Sequence, residues 1–87
     1  MSVIDAMRAS LAVLDPVSIE IQDDSAKHAG HAGAKAGGGH FRLQIVSPRF
    51  AGCRTMERHR LVYDALGSLM KREIHALSIT ARTPDEH

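Results

Sequence analysis

The sequence predicts a single α+β domain over residues 1–87, ordered helix, strand, strand, helix, strand, with a three-stranded mixed sheet and both helices on one face. Three observations predict it. Two segments space their apolar residues three or four apart, the period of a helix stripe, and three segments alternate apolar with polar residues, the period of a half-buried strand. Eighty-seven residues leave room for one core, which buries roughly 60 to 65 per cent of the unfolded-chain surface. A hydrophobic content of 44% beside 24% charged residues is globular composition, neither disordered nor collagenous.

The first helix rests on Ile4, Met7, Leu11 and Leu14, with Ser2 as N-cap and Asp5 at capping-box distance. Pro16 stops it by constraining Asp15 and removing a backbone donor. Val17, Ile19 and Ile21 then alternate with Ser18, Glu20 and Gln22 as the first strand. From about 23 to 39 the periodicity disappears among five glycines, so a flexible Gly/His-rich loop is expected, holding His28 and His31 with His40 at its exit. Phe41, Leu43 and Ile45 against Arg42, Gln44 and Val46 form the second strand, antiparallel to the first. Ser47 and Pro48 end it, and Phe50 with Gly52 marks a compact turn. Thr55 is the expected cap of the second helix, whose stripe reads Met56, His59, Val62, Tyr63, Leu66 and Met70 with Arg58, Arg60 and Asp64 toward solvent. Gly67 is an interior weakness of that helix, costing about 1 kcal/mol against alanine. Leu77, Ile79 and Ala81 alternate with Ser78 and Thr80 as the third strand, and Pro84 with the acidic end closes the domain.

A strand-helix-strand connection favours parallel pairing, so the second and third strands run the same way. Their starting residues, His40 and His75, then fall at one end of the sheet, where the loop bearing His28 and His31 is also rooted. Imidazole suits zinc, copper and iron, and two imidazoles ligate one iron of some [2Fe–2S] clusters. No H-E-x-x-H or C-x-x-C pattern closes a site within the chain, so ligands from a second molecule are expected to complete one. The structural alternatives are a strand-edge His75 bonded to backbone, a solvent-exposed His31, and a packed, hydrogen-bonded His59. Cys53, the only cysteine, rules out a disulfide within the chain and reads as a reducing compartment. It is either a small turn residue or a thiol activated by the helix N-terminus and Arg54. No serine-histidine-acid order, phosphate loop or carboxylate pair points to an enzyme. Apolar runs of three or four residues and the absence of an h-region predict neither a membrane span nor a secretion signal.

The net charge of +1 hides a division. Residues 1–24 hold one arginine against five acids, and 25–40 hold two lysines and no acid. Residues 41–72 hold seven basic residues against two acidic ones, and 73–87 hold one against three. The basic middle reads either as a surface for phosphates or an acidic partner, or as a solvated face. With three aromatic residues, Phe41, Phe50 and Tyr63, a base-stacking platform is thin.

D-D-S-A-K-H at 23–28, G-H-F at 39–41, I-V-S-P-R-F-A-G at 45–52, R-H-R-L-V-Y at 58–63 and I-H-A-L-S-I at 74–79 together resemble the BolA family over nearly the whole chain. The resemblance implies an αββαβ, class II KH-like fold, in agreement with the element order. It also implies an adaptor or regulator that binds a monothiol glutaredoxin and co-ligates a bridging [2Fe–2S] cluster, in iron–sulfur handling or iron regulation; a cytoplasmic chain, monomeric in isolation, is expected. Glutaredoxin and glutathione supply thiolates in that arrangement, and no cofactor is expected on the isolated chain. Carried over by motif, His75 is one ligand and His28 the loop ligand, with His31 competing because H-A-G-H-A-G-A-K-A-G-G-G departs from the common loop. The alternative implied function is a KH-like, DNA-binding transcriptional regulator of stress response or cell morphology. Arg49, Arg54, Arg58 and Arg60 would meet its phosphates, although no G-x-x-G clamp stands at that turn.

Overall fold

The computed structural model describes residues 2–24 and 39–86. His28 and His31, and most of the expected loop, lie outside the described residues. Helix α1 spans Val3–Leu11 and begins with a complete capping box: the Asp5 amide donates to Ser2 Oγ, and the Ser2 amide donates to the Asp5 carboxylate. Its inner stripe carries Met7 and Leu11, both fully buried. A 3-10 turn over Ala12–Leu14 brings Leu14 into the core, and Asp15 reverses the chain at φ 50°. Aspartate is one of the few residues other than glycine that visits the left-handed region routinely.

Strand β1 (Ser18–Asp23) pairs antiparallel with β2 (Gly39–Val46), and β2 pairs parallel with β3 (Ile74–Arg82), giving the order β1-β2-β3. The expected mixed topology is present, and β2 is its centre. Phe41, Leu43 and Ile45 send their side chains under the helices, whereas Arg42 and Gln44 face outward. Two ends of the strand assignments shift. Val17 precedes β1 and is 65% exposed, and Val46, expected outward with Arg42 and Gln44, is buried at the close of β2.

The core joins Met7, Leu11 and Leu14 to Phe41, Leu43, Ile45, Phe50, Val62, Leu66 and Ile74. Phe50 arrives there because the 3-10 turn Pro48–Phe50 folds the chain back, and Gly52 completes the reversal at φ +77°. Each such large side chain contributes about 1.5–3 kcal/mol of burial. Ser47, fully buried, donates from Oγ to the Leu14 carbonyl and accepts from the Arg49 amide, tying the end of β2 to the turn after α1.

Helix α2 (Thr55–Leu66) differs from expectation in four ways. Its N-cap is Arg54, not Thr55, and the Arg54 amide is satisfied by Glu57 reaching back, 3.0 Å away. Its buried side carries Val62 and Leu66 with Leu61 and Ala65 packed beside them, while Met56 is 81% and Tyr63 42% exposed. Arg58 turns inward instead of out, its side chain 13% exposed. The helix also ends at Leu66. Gly67 is the terminator and not an interior weakness, adopting φ 55°, ψ −126°, after which Leu69–Arg72 form a separate turn of helix, α3.

Candidate functional site

The parallel pairing of β2 with β3 starts with a one-residue irregularity. Gly39 partners Ile74, but the next residue, His40, partners Ala76. His75 is therefore the extra residue of a bulge, a device that breaks alternation and re-aims a side chain. Ile74 lies in the core at 3% exposure, Leu77 returns to it three positions later, and His75 and Ala76 between them are both exposed. The bulge thus keeps an apolar anchor on either side while turning His75 to the outer face that His40 shares with Arg42 and Gln44. The two rings stand with centroids 5.2 Å apart, tilted by 48°. Convergence of His40 and His75 followed from parallel topology; the bulge that brings it about had no signal in the sequence.

Backbone bonds hold this end of the sheet. The Gly39 amide donates to the Glu73 carbonyl at 2.8 Å, and the Asp24 amide donates to the His40 carbonyl at 2.7 Å. Asp24 also pairs with Arg42 at 3.0 Å. Asp23 and Glu73 line a pocket with Val3, Ile4 and Phe41, away from the face that His40 shares with Arg42. Among the described residues, no group of three or more His, Cys, Asp or Glu side chains stands ready to hold a metal ion.

The candidate phosphate-binding arginines differ in their partners and exposure. Arg49 bonds through Nε and NH2 to Asp15, each contact 2.7 Å. Arg58 donates to the carbonyls of Cys53 and Ala81 at 2.9 and 3.0 Å and makes a two-armed pair with Glu86 at 2.6 and 3.0 Å. Glu86 also accepts from the Thr83 amide. Its carboxyl is held down at about 2 by the Arg58 hydrogen bonds first and the Thr83 amide second, and Arg58 is raised in turn by Glu86. The basic middle is thus answered in part by the acidic ends of the same chain. Arg54 and Arg60 are exposed, and Arg60 lines a shallow apolar groove with Met56, His59 and Tyr63. Cys53 is half-buried, its Sγ 3.9 Å from the Arg49 carbonyl. No helix among the described residues is long and apolar enough to cross a membrane.

Comparison with known proteins accords with this architecture. The family described as BolA-like protein matches residues 11–86. SufE-like protein 1, chloroplastic/mitochondrial, of Arabidopsis thaliana is 49% identical over 78 residues, covering 84% of this chain and 21% of that protein. The DNA-binding transcriptional regulator BolA of Escherichia coli (strain K12) is 36% identical over 75 residues, covering 86% of this chain and 69% of that protein. The solved structure of BolA1 from Arabidopsis thaliana matches with a TM-score of 0.84 and 38% identity, over 100% of this chain and 98% of that one. Against the first three curated relatives, the chain spans 21% to 56% of their length.

Proposed function

Because the chain belongs to the BolA-like family, we propose that it is an adaptor that binds a monothiol glutaredoxin and completes a shared [2Fe–2S] cluster with histidine donors, in iron–sulfur handling or iron regulation. The observation that carries this reading is the bulged, exposed His75 at the sheet end where residues 25–38 leave and rejoin the described fold. A borderline-soft imidazole there suits one iron of such a cluster, and an incomplete donor set suits thiolates brought by glutaredoxin and glutathione. His75 is the proposed fixed donor, with His28 or His31 as the second. The cluster supplies electron storage and transferable iron and sulfide. The chain supplies an oriented nitrogen, and the backbone bonds of Gly39 and Asp24 set the strand ends that orient it.

The test is anaerobic cluster reconstitution on a monothiol glutaredoxin with glutathione, followed by visible circular dichroism as this chain is added. A new spectrum with a one-to-one endpoint, lost in His75→Ala and retained in the exposed Arg82→Ala, is expected. An unchanged glutaredoxin spectrum at saturating chain overturns the reading. The proposed compartment is the cytoplasm, in keeping with the free Cys53; recovery of the tagged protein in an organelle, the destination named for the plant relative, overturns that part.

DNA binding is the second reading, favoured by the Escherichia coli relative, a DNA-binding transcriptional regulator. With Arg49 and Arg58 engaged by Asp15 and Glu86, its phosphate contacts fall to Arg54 and Arg60. Arg54→Ala with Arg60→Ala is expected to reduce the slope of log K against log salt by about 1 per lost contact. An unchanged slope removes this face from consideration.

A further inference from the structure

We propose that His40 and His75 form a two-imidazole chelate for a single divalent ion of tetrahedral preference, Zn2+, on this chain without any partner. The ring spacing supports it. A Zn–N bond of about 2.0–2.1 Å and a ring radius of roughly 1.1 Å put each centroid about 3.2 Å from the ion, so two rings at a tetrahedral angle have centroids about 5.2 Å apart. The same lengths at the right angle of a square-planar ion give about 4.5 Å. The observed separation is 5.2 Å. Rotation about the terminal side-chain torsion brings a nitrogen of either ring toward the midpoint, and a hydrogen bond on one nitrogen fixes the tautomer that leaves the other for metal.

The strands supply rigidity that a loop pair lacks. His40 sits in the central strand with neighbours on both sides, and the bulge places His75 against it. The Arg42–Asp24 pair beside His40 is charge-neutral, and the exposure of His75 gives the ion a path from solvent. No third donor of the required type stands with them among the described residues; the proposed chelate takes water in its remaining positions. The chelate does not depend on cluster sharing. It competes with it, since both use His75.

The experiment titrates Zn2+, in competition with a chromophoric chelator, into the purified full chain with no glutaredoxin, glutathione or sulfide present. Co2+ serves in parallel as a reporter of tetrahedral geometry through its visible absorption. One ion per chain is expected, and His40→Ala and His75→Ala each weaken uptake by about tenfold or more, the glutamine variants doing the same. His59→Ala, and His28→Ala combined with His31→Ala, leave it unchanged. Far-UV circular dichroism confirms that each variant folds. Failure of the wild-type chain to compete for Zn2+, wild-type uptake by His40→Ala, or an equal loss in the His28/His31 pair overturns the chelate. Cluster sharing is read by the glutaredoxin titration alone, so either reading fails independently of the other.

Discussion

Deleting one residue from the interior of a strand turns everything beyond it to the opposite face, and a small domain rarely survives. The bulge predicts an exception at His75. The step from Ile74 to Ala76 already matches the single step from Gly39 to His40, so removal of His75 leaves Ile74 and Leu77 inward and the pairing of 76–82 with β2 unchanged. The loss is then a half-exposed ring contact and a local readjustment, about 1 kcal/mol or less, or a fall in Tm of no more than about 4–8 °C in a domain this size. Deletion of Ser78 is the comparison. It turns Ile79 and Ala81 outward and drives Thr80 and Arg82 toward the core. An aliphatic side chain withdrawn from burial costs about 1.5–3 kcal/mol, and a buried hydroxyl without a partner costs about 1–3 kcal/mol more. That is a large fraction of the roughly 5–15 kcal/mol that holds a domain together. Urea unfolding followed by far-UV circular dichroism separates the two. If deletion of His75 unfolds the chain as deletion of Ser78 does, the bulge is not where the extra residue sits, and the reasoning that points His75 outward falls with it.

Ser47→Ala leaves the Leu14 carbonyl without its buried donor and is expected to lower stability by about 1–3 kcal/mol; a urea midpoint equal to wild type refutes the link. Gly67→Ala forces a Cβ into φ 55°, ψ −126° and is expected to cost about 1–3 kcal/mol although nothing crowds the position closer than the Asp64 carbonyl at 3.9 Å; a neutral result in thermal unfolding means the backbone rearranges freely there. Glu86 has a depressed carboxyl, about 2 in the fold against an ordinary 4.5. Its contribution is therefore present above pH 4.5 and lost as pH falls toward 2. Glu86→Gln should flatten that part of the stability profile relative to wild type, and identical profiles would argue against the Arg58 pairing.

Local pattern carried the domain a long way. Alternation in 41–46 and 77–81 located two strands, and the connection between them set their direction and so the meeting of His40 with His75. The capping box at Ser2 and Asp5 was legible because both partners lie within one turn. The second helix was not, because residues 56–66 offer two apolar stripes at helical spacing: Met56, His59 and Tyr63 on one side, Leu61, Val62, Ala65 and Leu66 on another. What selects the second is tertiary. Arg58, on the same side, finds carbonyls of Cys53 and Ala81 and the carboxylate of Glu86, partners up to 28 residues away. Gly67 was similarly ambiguous, since spacing alone does not separate a tolerated interior glycine from a terminator at positive φ. The bulge depends on the pairing of β2 with β3, a relation between distant residues that no window along the chain contains.

The Arg58 clamp has a further consequence for β3, the outer strand on its side of the sheet. An outer strand presents open amides and carbonyls that can recruit a strand from another molecule and begin aggregation. The Arg82 carbonyl accepts from Ser47 on the β2 side, so by alternation the Ala81 carbonyl points to the open edge, where the Arg58 guanidinium occupies it. The 3-10 turn Pro84–Glu86 follows after Thr83, with a proline as its first residue. One end of this strand is thereby withdrawn from cross-molecule pairing, and the end left accessible is the one whose register His75 interrupts, where a bulge is itself a poor template for another strand.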